Sequence, residues 1–369
     1  MCRREVRAIL LCIIQAAMAS HGQPTPRRYL LYGSEKYALA ILRPLQAVIR
    51  SRGHSSAWFF DGPGADYLHK GETLLRTVPE VRAFAPHAVF VPGNRVPGFF
   101  PGLKVEVFHG FNVAKRSDGK GHFRIRGSFD LYCTQGPDTS GPFREFARRY
   151  GYFDVAETGW SKMDPLFRDD TGAYVRDERP IVLLTSTFTK SLSAARTLFE
   201  TVRGLAAKRR WRWLANFHPK MAPDVVELYR SLPCEDLEYV ETDDVIPLLK
   251  AADVMISDTS SVASEFLLQH RPVVTFRRRT RKPYVLDVRD PADLEAAVER
   301  ALDRPDDLMT AVRAYADRIH PYRDGRSSER VLDAVEVALD DARTRLRPKP
   351  RNVWRNLQMR RRLSYYRLR

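Results

Sequence analysis

Two histidines and one run of hydroxyl residues are the groups in this sequence best suited to chemistry. His109 follows the apolar run Val105–Phe108 and precedes Gly110; His218 follows Trp213–Phe217 and precedes Pro219. Near neutral pH a histidine can take a proton from an alcohol or hold a phosphate oxygen. As a general base it accelerates a transfer by about 10²–10⁴-fold. The third feature is Ile256-Ser257-Asp258-Thr259-Ser260-Ser261-Val262-Ala263-Ser264-Glu265-Phe266, an apolar strand running into small hydroxyl residues that open a helix. Such a start offers an anion backbone N–H groups and the positive end of the helix dipole, together worth about 1–2 kcal/mol. Asp258 and Thr259 equally suit the plainer task of an N-cap.

These groups need strand ends to carry them, and the apolar periodicity supplies two sets. Short runs at Tyr29–Tyr32, Ala57–Asp61, His87–Val91, Lys104–Phe108 and Phe129–Cys133 alternate with helical stretches near 35–51, 79–85 and 137–150. A second alternation has runs at Ile181–Leu184, Trp213–Phe217, Leu237–Val240, Asp253–Ser257 and Pro272–Phe276. Its helices fall near 192–208, 223–231, 245–251, 260–269, 291–302, 305–318 and 326–345. The pattern predicts an α/β protein of two Rossmann-like domains. Their bounds are a first domain over 27–160, a polar, turn-rich linker over 161–178 and a second domain over 179–345, with an extension at 1–26 and a basic tail at 346–369. Open parallel sheets bind ligands at the carboxyl ends of their strands, so two such halves face each other across a cleft with one histidine on each side.

At 369 residues the chain exceeds one ordinary core. Its net charge is +16, of which +10 lies in residues 341–369, where eleven Lys and Arg face Asp341 alone. The tail interleaves this charge with Val353, Trp354, Leu357, Leu363, Tyr365 and Tyr366, a composition suited to an anionic membrane surface or to packing on the first domain. A nucleic-acid partner is disfavoured, because the excess sits in one tail and no nucleic-acid module is present. No GxxxxGK[ST] occurs, which argues against a P-loop enzyme. The four cysteines show no metal-ligand spacing, and Cys133 and Cys234 read as core thiols of a reducing compartment. Met1–Arg7 carries three arginines and Ala8–Ala19 is mostly apolar, a pattern shared by signal peptides, peripheral helices and extensions from an early start codon. The run is too short to span a bilayer.

Taken in order, several segments resemble the CDP-glycerol glycerophosphotransferase family, the polymerases and primases of teichoic acid synthesis. They are His109-Gly110-Phe111 with Lys115, Thr158-Gly159-Trp160-Ser161-Lys162-Met163-Asp164, Thr185-Ser186-Thr187-Phe188-Thr189-Lys190, Phe217-His218-Pro219, Ser257-Asp258-Thr259-Ser260-Ser261 and Asp324-Gly325-Arg326-Ser327-Ser328-Glu329-Arg330. Together they cover roughly residues 100 to 335. The resemblance implies a GT-B-type fold and transfer of phosphoglycerol from CDP-glycerol, or a related CDP-polyol, to an acceptor hydroxyl on a glycan or lipid-linked polymer. It makes His109 the base and sets His218 on the donor phosphates. Ser260 and Ser261, with Asp258 and Thr259 beside them, would bind phosphate oxygens, and Glu265 would reach toward the nucleotide. Lys115 and Lys190 would partner the pyrophosphate. No cofactor is required; a divalent cation near Asp258 is compatible with the chemistry, but no ligand spacing calls for one. Activated nucleotides place such an enzyme in the cytoplasm, on the inner face of the membrane.

The chain departs from the family at Thr259, where a tyrosine is common, at Glu265, where an aspartate is usual, and at Thr189-Lys190, where an arginine is expected. All three lie near the donor and bear on its identity. Two other readings share parts of the pattern: a nucleotide-sugar glycosyltransferase or 2-epimerase of the same build, and a basic nucleic-acid-binding protein.

Overall fold

The computed structural model describes residues 25–111, 123–169, 177–258, 261–278, 280–341 and 346–367. The extension before residue 25, Lys115, Thr259 and Ser260 lie outside them.

Two six-stranded, wholly parallel sheets form the frame. The first has the order β2-β1-β3-β4-β5-β6, with β1 Arg28–Gly33, β2 Ser55–Phe60, β3 Ala88–Val91, β4 Leu103–Glu106, β5 Leu131–Thr134 and β6 Asp154–Glu157. Helices α1 (Tyr37–Ser51), α2 (Val78–Phe84) and α3 (Pro137–Tyr150) link its strands. The second has the order β12-β11-β10-β7-β8-β9, with β7 Ile181–Ser186, β8 Arg212–Phe217, β9 Leu237–Tyr239, β10 Val254–Ser257, β11 Val273–Phe276 and β12 Leu286–Val288. Its helices are α4 (Ala195–Ala207), α5 (Pro223–Arg230), α6 (Ile246–Ala251), α7 (Val262–Leu267) and α8 (Leu294–Leu302). The central strands are buried along their whole length, as in β3, β5, β7 and β10, because helices cover both faces of a parallel sheet. In each sheet the strand order reverses once, between β1 and β3 and between β7 and β10. At these points successive loops diverge and leave a crevice at the strand ends.

Order along the chain is not order in space. Helix α9 (Asp306–Ile319) leads into α10 (Ser327–Asp340), which returns to the first domain. There Arg52 pairs with Asp333 at 2.7 Å and Glu336 at 3.0 Å, and His54 lies 3.2 Å from Glu336. The start of α10 is held by the linker: both Asp164 oxygens accept backbone N–H groups, from Ser327 and Ser328, at 2.7 Å. This explains why the 3₁₀ segment Ser161–Phe167, polar by composition, buries Ser161, Met163, Asp164 and Leu166. Gly159, at φ +80°, lets this turn approach α10, since a Cβ there would lie 2.4 Å from Ser327 Oγ.

The tail also packs on the first domain. Helix α11 (Val353–Arg362) and the residues after it bury Met359 and Tyr365 among Phe100, Phe129 and Phe153. Lys349 pairs with Asp130 at 2.8 Å and Arg362 with the buried Asp61 at 3.0 Å. Cys133 is a core thiol, whereas Cys234 is exposed, because it falls in the turn between α5 and β9 rather than on a strand.

His320 is buried beside Trp160 and accepts its backbone N–H on Nε2 at 3.0 Å. Burial lowers its pKa to about 4. An unfolded chain protonates this ring near its ordinary pKa of about 6.5, whereas the folded chain resists until about pH 4. Stability therefore falls as pH drops through that window, by about 3 kcal/mol in all. Urea melts between about pH 4 and 7 are expected to show this acid limb. His320→Gln should flatten it, and an unchanged slope in the variant would assign the limb to other groups.

Candidate active site

The two histidines stand at the carboxyl ends of β4 and β8, on facing walls of the cleft. Lys36 and Tyr37, at the start of α1, connect them. Lys36 forms an ion pair with Asp243 of the second domain and, with it, lines the cavity of about 530 Å³ that holds His218, Asn216 and Thr242. Tyr37 packs its ring 5.7 Å from that of His109.

His109 is aimed by a strained backbone. Phe108 has φ +59°, a region that a bulky side chain rarely adopts, and this ends β4 and turns the next residue outward. Trp160 holds the peptide there, its indole N–H donating to the Phe108 carbonyl at 3.2 Å. The Phe108 ring locks into Phe143 at 5.2 Å, edge to face. His109 Nδ1 lies 3.3 Å from the Pro92 carbonyl oxygen, which only accepts. With Nδ1 as the donor in this contact, the neutral ring carries its lone pair on Nε2.

His218 has the opposite tautomer. Its Nδ1 accepts the backbone N–H of Lys220 at 3.0 Å, so the proton of the neutral ring is on Nε2. Its ring lies 4.5 Å from that of Phe188. Desolvation first, and the Lys220 charge second, hold its pKa below the ordinary histidine value. At neutral pH, before ligand binds, His218 is thus an uncharged N–H donor rather than an imidazolium.

The loop after β7 carries Lys190, which is exposed. It is pinned from below by Asp258, fully buried at the end of β10. Asp258 Oδ2 accepts from Ser186 Oγ at 2.7 Å, Thr187 N–H at 2.9 Å and Ala194 N–H at 3.3 Å. Through Oδ2 it shapes the loop at both ends, while its buried Oδ1 has no hydrogen-bond partner among the described residues. Ser261 is half-buried just before α7 and makes no side-chain cap bond. Glu265, on α7, is buried and bound through both oxygens by Lys162 Nζ, at 2.6 and 2.7 Å. Lys162 in turn lies 5.3 Å from the Trp160 ring centroid.

The structure thus brings His109, His218, Lys190, Asp258, Ser261 and Glu265 to the cleft-facing ends of the two sheets. It adds Lys36, Tyr37, Lys162 and Asp243, to which sequence reasoning assigned no role. Lys162 had a visible signal, its place in the Thr158–Asp164 segment; Lys36 and Asp243 had none, since their pairing spans two domains. Among the described residues no group of three His, Cys, Asp or Glu side chains is placed to hold a metal ion.

Solved structures of the same architecture cover almost the whole chain. One is a putative UDP-N-acetylglucosamine 2-epimerase from Listeria monocytogenes, with a TM-score of 0.65 at 16% identity over 86% of this chain and 98% of that one. Another is the wall teichoic acid polymerase TagF, with a TM-score of 0.63 at 12% identity over 92% of this chain and 99% of that one. S. aureus MnaA, solved with UDP, matches with a TM-score of 0.60 at 16% identity over 88% and 99%. At these identities the likeness establishes the GT-B fold. No curated protein sequence matches significantly. Residues 128–337, more than half of the chain, match the family described as CDP-glycerol:poly(glycerophosphate) glycerophosphotransferase. That span holds β5 to α10, including the Trp160 clamp, the Lys190 loop, His218 and the Asp258–Glu265 segment, and the chain therefore belongs to the CDP-glycerol glycerophosphotransferase family and is a transferase of that class.

Proposed function

We propose that this enzyme transfers glycerol phosphate from CDP-glycerol to a hydroxyl of a growing cell-surface polymer, with His109 as base and His218 as a donor to the phosphates. The observation that carries the assignment is the opposed pair of tautomers: a lone pair at Nε2 on one wall of the cleft and an N–H at Nε2 on the other. TagF, solved after a soak with CDPG, shares the fold and supports the donor class.

In this mechanism the acceptor oxygen attacks the phosphorus that carries glycerol, in line with the bridging oxygen to CMP. The new P–O bond forms as the bridging P–O bond breaks, and the electron pair leaves with CMP. The acceptor proton passes to His109 Nε2. His218 and the basic side chains at the sheet ends offset charge on the phosphates, so positioning and electrostatics supply most of the rate.

The test is a thermal-shift panel of CDP-glycerol, CDP-ribitol, UDP-sugars, CMP and UMP. A ligand at 100 times its Kd stabilises the fold by about 2.7 kcal/mol. CMP and CDP-glycerol are expected to raise Tm, and His218→Ala should weaken them roughly tenfold, the loss of one hydrogen bond to a charged group. Stabilisation by UDP-sugars alone would move the enzyme to the nucleotide-sugar transferases and leave the cleft unchanged.

The tail supports a second element of this reading, contact with an anionic membrane. While Met359 packs inward, Val353, Trp354 and Leu357 on α11 and the nearby Tyr366 are exposed, among Arg351, Arg361 and Arg367. Among the described residues no helix is long and apolar enough to cross a membrane, so contact would be in the interface plane. Trp354→Ala with Leu357→Ala is expected to reduce co-sedimentation with phosphatidylglycerol vesicles by more than about tenfold. Unchanged binding would refute a membrane role for this face.

A further inference from the structure

The cavity that holds His218 draws its charge from both domains. It measures about 530 Å³, and its charged lining residues are Glu241, Asp243 and Lys36. The two acids stand on the turn after β9, in the second domain, whereas the lysine comes from the loop after β1, in the first. Among the described residues Lys36 is thus the one cation on this wall. Lys220 lies 6.0 Å from the Phe188 ring centroid and does not line the cavity. His218 is uncharged at neutral pH, since desolvation and Lys220 hold its pKa down. Glu241 is neutralised by Arg230, which leaves Asp243 and Lys36 as an ion pair across the cleft.

The two partners are held differently. Asn216 Nδ2 donates to the carbonyls of Val240 and Thr242, at 2.9 and 3.3 Å, and the Asp244 N–H donates to Thr242 Oγ1 at 3.1 Å. Asp243 therefore sits in a turn pinned on both sides. Lys36 stands on a flexible four-carbon stem and carries three N–H donors. Its ammonium also lies 3.8 Å from the Tyr67 ring centroid, on its own domain. The Lys36 side chain is 37% exposed and that of Asp243 57%. An exposed pair of this kind favours its contact by no more than about fivefold. A charge-assisted hydrogen bond to a phosphate oxygen is worth roughly ten- to a hundredfold. A diphosphate in this cavity therefore wins the lysine from Asp243, and the released carboxylate repels the same anion.

We propose that Lys36 is a donor-binding residue supplied across the cleft. It exchanges Asp243 for the diphosphate of the nucleotide-linked donor, and Asp243 is an internal competitor that lowers donor affinity. The proposal rests on the reading that sets His218 on the donor phosphates. It makes the first domain a participant in donor binding through the residue that precedes Tyr37, whose ring packs on His109.

The full-length natural protein, Lys36→Gln, Asp243→Asn and the Lys36→Gln/Asp243→Asn double variant are titrated calorimetrically with CDP-glycerol and with UDP-glucose. Both side chains reach solvent, so the fold should persist, and circular dichroism melts check that it does. Lys36→Gln is expected to weaken the donor roughly tenfold. Asp243→Asn is expected to tighten it by about two- to fivefold, and the double variant should lose that gain. Opposite signs from the two partners of one ion pair support the exchange. Weakening by both substitutions would make the pair a brace of the cleft and overturn the proposal. An equal gain from Asp243→Asn with and without Lys36 would reduce the effect to removal of a like charge, and also overturns it. Natural protein that binds UDP-glucose but not CDP-glycerol would defeat the glycerophosphotransferase donor, while opposite signs on UDP-glucose would still support the role of Lys36. Binding of neither nucleotide overturns both.

Discussion

Replacement of His109 by alanine is expected to lower turnover by about 10²–10⁴-fold, the contribution of a positioned general base, while the fold survives. The survival follows from exposure: the ring stands outside the core, and the neighbouring Phe108, Trp160 and Phe143 contacts do not involve it. The loss follows from chemistry. With Nδ1–H held by the Pro92 carbonyl, Nε2 is the atom that can accept the acceptor proton. Alanine leaves no base there and leaves CMP binding in the other domain intact, so kcat should fall far more than donor affinity. Release of CMP in the presence of acceptor, measured beside circular dichroism melts, checks both halves. Turnover close to that of the natural protein would remove His109 from the mechanism.

The second large effect concerns the strap between linker and second domain. Glu265 and Lys162 form a largely buried ion pair, with side-chain exposures of 6% and 21%. Breaking a buried pair by removing one partner costs about 3–5 kcal/mol. Glu265→Ala is expected near the low end, roughly 3 kcal/mol, because Lys162 keeps some access to water. The urea midpoint should fall accordingly. Lys162→Met combined with Glu265→Leu should recover much of the loss, since an apolar pair of similar volume avoids the desolvation of both charges. A Glu265→Ala protein as stable as the natural one would show that the pair does not hold the linker to the second domain. The same position tests the donor: the family resemblance points Glu265 at the nucleotide, whereas the structure commits both its oxygens to Lys162. Glu265→Gln separates the two, since weakened CMP binding without a change in midpoint would assign Glu265 to the ligand.

Much of the frame could be read locally. Apolar runs closed by turn residues located ten of the twelve strands, because a buried parallel strand needs a continuous apolar stretch. The two it did not reveal, β6 and β12, are edge strands whose Asp154-Val155-Ala156-Glu157 and Leu286-Asp287-Val288 mix acids with small apolar groups. An edge is only half covered, so its pattern weakens. Phe108 was read as strand, but its φ of +59° ends β4 two residues earlier, a bend that composition does not announce. Helix α10 follows the second domain in sequence and packs on α1, because its partners Arg52, His54 and Asp164 are contributed by earlier segments.

The sequence alone determined the two α/β halves, the strand-end position of His109 and His218 and the order of the family's segments, since apolar period and turn chemistry act over a few residues. Tertiary structure decided which ring nitrogen each histidine presents, because that depends on a carbonyl seventeen residues away for one and on a loop closing back for the other. It decided that Asp258 braces a loop and that Glu265 meets Lys162 across 103 positions. It also set Lys36 against Asp243 in one cavity. Charge in a sequence is only a sum; its convergence on a site requires the chain to be folded back on itself.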